Sequence, residues 1–326
     1  MVMREGERGM KKVTVRMVGA AAGVSHATVS RVLNNDPRVH PSTRLAVIRA
    51  AQQLGYRLES GGGRKTIALI LPNAVAGGYM GHMLMQIRAE ISSRGYHTEL
   101  VSPSDIDILN DRVISGGISL AIDNDQEAWE ELKTLPLVKV NQTGNHLNRI
   151  YCVRSDGIQA MDLAVEYLAA RGHRRIAYLS DVAEERDRRL CSRRYDGFIA
   201  AMRRLGWSDP HRFMHFFAWH ELPDFVALKK QGITALVCAG EMTGVFVARG
   251  IHLQKLRIPE DFSLLGMEYV RISQALLPAQ TTLVQNYSEL AFHALELLEQ
   301  LIRGETPAGD ITVPYSLIER ESVGSL

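Results

Sequence analysis

The sequence predicts two architectures in one chain. An N-terminal all-α helix-turn-helix domain spans 11–57. An α/β domain of two lobes spans 67–326, each lobe a Rossmann-like subdomain with a parallel sheet. A short Gly-rich linker, 58–66, joins them. Three observations carry this reading. Residues 14–34, TVRMVGAAAGVSHATVSRVLN, read as two short helices about a tight turn. Positive charge is concentrated at that end: residues 11–58 hold eight Lys or Arg against one acid, Asp36, while the whole chain is only +2, which leaves 59–326 at −5. From Thr66 onward, apolar strand runs alternate with amphipathic helices, the pattern of parallel sheets covered on both faces.

Bulk composition excludes several classes. At 46% hydrophobic and 23% charged, the 326 residues are those of an ordinary globular protein with substantial cores. No apolar run approaches the ~18 residues of a membrane span. The start, MVMREGERGMKK, is charged and has no apolar stretch behind it to make an export signal. Cys152, Cys191 and Cys238 are scattered, with no CxxC pair and no metal-ligand spacing. A cytoplasmic protein without metal or cofactor is expected.

Taken in order, Thr14 is a plausible N-cap for the first helix, and Ala20, Ala21 and Ala22 are small enough to let two helices cross closely. Gly23 suits the left-handed stop, and Ser25 can cap the second helix with its hydroxyl. That second helix places Val29, Val32 and Leu33 inward. Its other residues, His26, Ala27, Thr28, Ser30, Arg31 and Asn34, suit the donor, acceptor and methyl pattern of a DNA major groove. Pro41 opens a third helix, whose apolar face is Leu45, Val47, Ile48, Ala51 and Leu54 and whose stop is Gly55. A surface αα-hairpin would share the spacing, but it leaves the coincident basic charge unexplained.

In the body, strands are predicted at 67–71, 97–101, 118–122 and 137–140, with helices at 79–94, 106–114 and around Trp129. A second unit is expected to begin near Tyr151. It continues with helices at 158–170, 193–205, 222–230 and 242–254 and strands at 176–179, 213–217, 235–238 and 263–266, and the chain crosses back between lobes near its end. Ligands of open α/β sheets bind beyond the carboxyl ends of the strands, which puts the candidate pocket between the lobes.

The segment AGVSHATVSRVLNN resembles the helix-turn-helix signature of the LacI/GalR family of bacterial transcription regulators. Leu54-Gly55-Tyr56, ARGHRRIAYL, RIPEDFSLLGMEY, PAQTTLVQN and VPYSLIERES look like further landmarks of that family, so the resemblance covers nearly the whole chain. It implies a periplasmic-binding-protein-like body and a sequence-specific regulator, by family habit a repressor. A homodimer would bind a palindromic operator in double-stranded DNA. The implied DNA-contacting residues are Thr14, Ser25, His26, Ala27, Thr28, Ser30, Arg31 and Asn34. The family's Asp, three residues after Thr14, is here Met17. The family's longer linker carries a hinge helix that enters the minor groove. Here Gly61, Gly62 and Gly63 oppose such a helix, which leaves Arg64 and Lys65 as a flexible arm for phosphates or as plain linker.

The resemblance also implies a small-molecule effector, a sugar or similar polyol, and Arg186, Arg188, Arg189 and Arg193 in EERDRRLCSRR would favour an anionic one, a sugar acid or sugar phosphate, where they are not simply solvated charge. The matching positions are Tyr79, Asp156, Arg194 (in ArgTyrAspGlyPhe), Trp219 and Glu268. Carboxylates accept hydroxyl hydrogens, guanidinium donates in a fork, and an indole gives an apolar platform. Asp156 reads equally as a helix N-cap, Arg194 as a surface ion pair and Trp219 as core. Gly240-Glu241 replaces the family's Asn-Asp and is expected to open space. No GxSxG, P-loop, HExxH or strand-borne GxGxxG is present. The reading is therefore not an enzyme; the rival is a cytoplasmic sugar-binding or carbohydrate-processing protein using the two-lobed fold alone.

Overall fold

The computed structural model describes residues 13–34, 36–54, 56, 65–71, 78–103, 113–120, 135–181, 192–218 and 220–326. Local chemistry sets the first three helices. Thr14 caps α1 (Val15–Ala22), its hydroxyl accepting the Met17 N–H at 3.4 Å, and Gly23 ends it at φ 68°. Ser25 caps α2 (His26–Leu33) by accepting the Thr28 N–H at 3.1 Å. Pro41 begins α3 (Pro41–Gln53). The close approach of α1 and α2 falls at Gly19 rather than at the three alanines. A Cβ at Gly19 would lie 3.0 Å from the Val24 carbonyl oxygen and 3.4 Å from Val29 Cγ2; Ala20 and Ala21 face solvent. Val18, Val29, Val32, Leu33, Val47, Ile48 and Ala51 form the head's core, and Val113, from the base of the body, is buried in the same cluster.

The body opens with β1 (Thr66–Ile70), α4 (Gly78–Ser93), β2 (His97–Val101), β3 (Gly116–Ser119), β4 (Leu137–Val140) and β5 (Ile150–Ser155). Then follow α5 (Gly157–Ala170), β6 (Ile176–Ser180), α6 (Ser192–Arg204), β7 (Met214–Phe216), α7 (Phe225–Lys230), β8 (Ala235–Cys238), α8 (Glu241–Leu253) and β9 (Ser263–Met267). The chain ends with β10 (Thr281–Gln285), α9 (Tyr287–Arg303), β11 (Ile311–Val313) and β12 (Tyr315–Ile318). The first sheet is wholly parallel, in the order β11-β5-β4-β3-β1-β2. The second, β12-β10-β9-β8-β6-β7, is parallel except for β12 at its edge. β1, β3, β4, β6, β8 and β9 are buried along their whole length, as strands covered on both faces must be.

Two sequence expectations change, and a third falls largely outside the described residues. The strand beginning near Tyr151 belongs to the first lobe: Leu137 to Val140 pair with Ile150 to Val153, so the second lobe starts at α5. The strand expected at 118–122 begins two residues earlier, at Gly116. The helix around Trp129 lies outside the described residues, as does most of that at 106–114, whose described end, Val113 and Ile114, has no regular structure.

The chain passes between lobes at three places, Ser155–Gly157, Gln285–Tyr287 and Val313–Tyr315, and these are bonded to one another. The Asp156 N–H donates to the Val313 carbonyl at 2.8 Å. Ser155 Oγ donates to Gln285 Oε1 at 2.8 Å. Gln159 brackets Tyr315, accepting its N–H at 2.9 Å and donating to its carbonyl at 3.2 Å.

Candidate nucleic-acid interface and interlobe cleft

With Val29, Val32 and Leu33 buried, α2 turns the rest of its surface outward. His26, Ala27, Arg31 and Asn34 are exposed, and Thr28 and Ser30 are half-buried. Ser25 and Thr28 share a hydroxyl contact of 3.0 Å beside the cap, and Asn34 Nδ2 donates to the Ser30 carbonyl at 3.0 Å. Thr14 is exposed at the start of α1.

Thr28 and Arg31 also line a shallow depression with Arg38, Val39, His40 and Thr43. Arg38 grips Asp36 through two donors, at 3.0 and 2.7 Å, and holds that carboxyl well below its usual range. Arg44 donates to the Asp36 carbonyl at 2.6 Å. The turn after α2 thus fixes the Arg38 guanidinium next to the exposed helix face and anchors Arg44 on its backbone. The sequence had registered these residues only as charge; Arg38, His40 and Thr43 join the candidate surface because the turn folds back over α2. Lys65 lies at the foot of β1, where its carbonyl accepts the His97 N–H at 2.9 Å. Arg64 lies outside the described residues.

The carboxyl ends of the strands in both sheets face a cleft. Tyr79, at the start of α4, accepts a hydrogen bond on its hydroxyl from Asn141 Nδ2 at 2.9 Å. The same amide donates to Gln285 Oε1 at 2.9 Å, and Asn141 Oδ1 accepts the Ser155 N–H at 2.7 Å. Asn141 has φ 54°, a left-handed conformation that Asn tolerates. Burial pushes the Tyr79 hydroxyl well above the usual phenol range.

Arg194 is half-buried on α6. Its position depends on close helix crossing: a Cβ at Gly197 would fall 2.7 Å from Ile158 Cα, and one at Gly157 would fall 3.1 Å from Arg194 Cγ. The Arg-x-x-Gly spacing therefore has a packing reason, because only a bare backbone lets α6 sit against the start of α5 and carry Arg194 to the cleft. Its charge acts on both Tyr79 and Glu241, favouring their ionised forms. Asp156 caps α5, accepting the Ile158 and Gln159 N–H groups at 3.1 and 3.2 Å, with Arg193 at 3.8 Å. Trp219 lies outside the described residues.

Glu268 is engaged within the protein. Its buried carboxylate is already taken: Arg320 NH1 reaches Oε2 at 2.9 Å, Arg320 NH2 reaches Oε1 at 3.1 Å, and Thr282 Oγ1 also donates to Oε2. These donors fix the Glu268 carboxylate in place beside Arg320. The expectation that Gly240-Glu241 would open space is overturned. The Glu241 side chain fills that space, its Oε2 accepting the Tyr79 N–H at 2.7 Å and its Oε1 accepting the Tyr287 hydroxyl at 3.1 Å. The His82 ring packs against Tyr287 at 5.8 Å. Burial raises the Glu241 carboxyl above the usual range, opposed by those two donors and by the charges of His82 and Arg194. Asn141 and Tyr287 were missed from the sequence, and Glu241 was noted only as a departure from the family pattern, because each is an ordinary residue made special by a partner far along the chain.

Comparison with known proteins places both halves. Residues 14–58 match the model for bacterial regulatory proteins of the lacI family. Residues 91–218 match periplasmic binding proteins and the sugar binding domain of the LacI family, and 165–323 match a periplasmic binding protein-like domain. The transcriptional repressor CytR of Escherichia coli (strain K12) is 27% identical over 96% of this chain and 97% of its own length. Catabolite control protein A of Priestia megaterium is 26% identical over 95% and 99%. Among solved structures, a lac repressor dimer bound to operator and the anti-inducer ONPF aligns with a TM-score of 0.69 at 22% identity, over 97% of this chain and all of that one. A CelR–cellobiose complex aligns at 0.66 and 24% identity, over 95% and 99%. With a capped, exposed α2 on a basic head and a two-lobed parallel-sheet body behind it, the chain belongs to the lacI family of bacterial regulatory proteins and is a DNA-binding transcription regulator.

Proposed function

We propose that the protein is a cytoplasmic repressor whose head (11–57) reads a palindromic operator and whose body (67–326) binds a sugar or sugar derivative between its lobes. The linker 58–66 connects the two. The observation that carries the reading is α2, with its capped amino terminus and exposed polar face flanked by Arg31 and Arg38. A homodimer sets two such helices one helical turn apart, about 34 Å, in successive major grooves. Ser25, His26, Ala27, Thr28, Ser30 and Asn34 face the groove. Thr14, Arg31, Arg38 and Lys65 serve the phosphates, joined by Arg64.

In the cleft, Tyr79, Arg194 and Trp219 supply the effector contacts, with Asn141 and Glu241 added from the geometry, and Asp156 orients the start of α5. The CelR structure contains cellobiose, and another LacI-family neighbour of similar fold contains ribose. Their ligands support a sugar-like effector here. Binding changes the angle between lobes and with it the separation of the two heads. The role is recognition rather than turnover: Glu241, the carboxylate at the centre of the cleft, is held by two donors from the opposite lobe.

Fluorescence anisotropy with genomic fragments across a salt series tests the DNA reading, and a thermal-shift screen of sugars, sugar acids and sugar phosphates tests the effector. Only weak, salt-sensitive and sequence-independent binding would remove the DNA reading.

A further inference from the structure

The residue that replaces the family's pattern at 240–241 joins two bodies. Glu241 opens α8 and belongs to the second lobe, whereas Tyr79 and Tyr287 open α4 and α9 and pack with the first. One carboxylate therefore receives hydrogen bonds from two elements of the opposite lobe, at 2.7 and 3.1 Å. The approach is fitted. Gly78 has φ 66°, and a Cβ there would lie 2.5 Å from Glu241 Oε2 and 3.5 Å from a ring carbon of Tyr269 in the second lobe. Only glycine lets the carboxylate reach the backbone at that point.

Two further features strengthen the contact. The first N–H groups of a helix have no partner within the helix, so the Tyr79 N–H takes its acceptor from the other lobe. The amino terminus of a 16-residue helix also favours a negative group. Tyr79 is itself anchored, its hydroxyl bonded to Asn141 and through it to the crossing residues Gln285 and Ser155.

We infer that Glu241 is a built-in tie across the cleft, holding the lobes together in the absence of ligand, and that an effector takes up the site by displacing this carboxylate from the start of α4. The tie sets the resting angle between lobes, so the effector acts by exchange and not by closing an open cleft. The second half of this inference rests on the proposed effector role of the cleft; the tie itself does not.

The test uses the full-length protein without DNA or ligand. Amide hydrogen exchange is read at Tyr79, and the radius of gyration is read by small-angle X-ray scattering. Glu241→Ala is expected to speed exchange at Tyr79 by roughly tenfold to a hundredfold, the range set by losing a hydrogen bond to a charged group, and to increase the radius of gyration. Gly78→Ala should do the same with Glu241 intact, which separates loss of the tie from any defect specific to the glutamate substitution. Unchanged exchange in the core strands of both sheets verifies that each variant is folded. Wild-type exchange at Tyr79 and a wild-type radius of gyration in folded Glu241→Ala would overturn the inference. A panel of glucose, glucuronate and glucose 6-phosphate is then added to the wild type. If the variants open but no ligand accelerates exchange at Tyr79, the displacement step is overturned and the effector reading is weakened, while the tie stands.

Discussion

Replacing Arg320 with methionine decides whether Glu268 belongs to the architecture or to the ligand. The guanidinium donates to both oxygens of Glu268, to the Gln280 carbonyl at 2.6 Å and to Thr282 Oγ1 at 2.9 Å. Both side chains are largely buried, at 15% and 9% exposure. Methionine keeps the apolar stem but leaves the carboxylate with Thr282 as its remaining donor. Removing one partner of a buried pair costs about 3–5 kcal/mol, because the other charge is stranded. At about 2–4 °C per kcal/mol, that is a fall in Tm of roughly 6–20 °C. Differential scanning calorimetry on ligand-free protein reads it. Adding Glu268→Gln to Arg320→Met should recover more than half the loss, since no charge then remains to be buried. A single variant melting within about 2 °C of wild type would refute the reasoning and return Glu268 to the candidate effector contacts.

Four further outcomes are expected. Gln280 is fully buried, wedged against Gly244 and Gly266, and neither atom of its amide has a hydrogen-bond partner among the described residues; Gln280→Met, similar in volume, should stabilise by about 1–2 kcal/mol in chemical denaturation. His173 is buried between the Thr234 hydroxyl and the Gly324 carbonyl, and desolvation lowers its pKa. The unfolded chain therefore protonates first, and stability should be intact above about pH 7 and fall as pH drops below about 6.5. His173→Gln should flatten that slope in urea melts; burial of His215, which lowers its pKa likewise, leaves some of it. Arg31→Ala should weaken operator binding by about 1–3 kcal/mol if the residue reads a base, or reduce the salt slope by about 1 if it contacts a phosphate; an unchanged affinity and slope in anisotropy titrations would exclude both. Arg194→Ala should abolish the effector's influence on operator affinity while leaving that affinity intact without effector, and retained induction would remove Arg194 from the cleft.

The fold was legible where local chemistry decides it. Caps at Thr14 and Ser25, the stop at Gly23 and the alternation of buried strands with helices need only neighbours in sequence. The resemblance reached the head and the lobes for the same reason, since those motifs are contiguous. What the sequence hid is non-local. Arg320 lies 52 residues from Glu268, and Glu241 lies 162 from Tyr79, so neither pairing leaves a spacing to read. β5 joined the wrong lobe because a buried parallel strand carries no mark of which sheet it enters; the crossing after Ser155 settles it. Gly19 was passed over in favour of the alanines because the contact that needs a bare Cα comes from Val24 and Val29, across the turn.

The three bonded crossings have a mechanical meaning. Short straps lying side by side and pinned to each other resist torsion and shear more than bending, so the hinge they form has one soft direction. The head, with Val113 seated in its core, is a passenger on the first lobe. On the proposed function, DNA then senses the angle between the lobes and nothing of the molecule that set it. Chemically unrelated ligands that set the same angle would then be interchangeable to the operator, and the pocket could drift in specificity without retuning the reader.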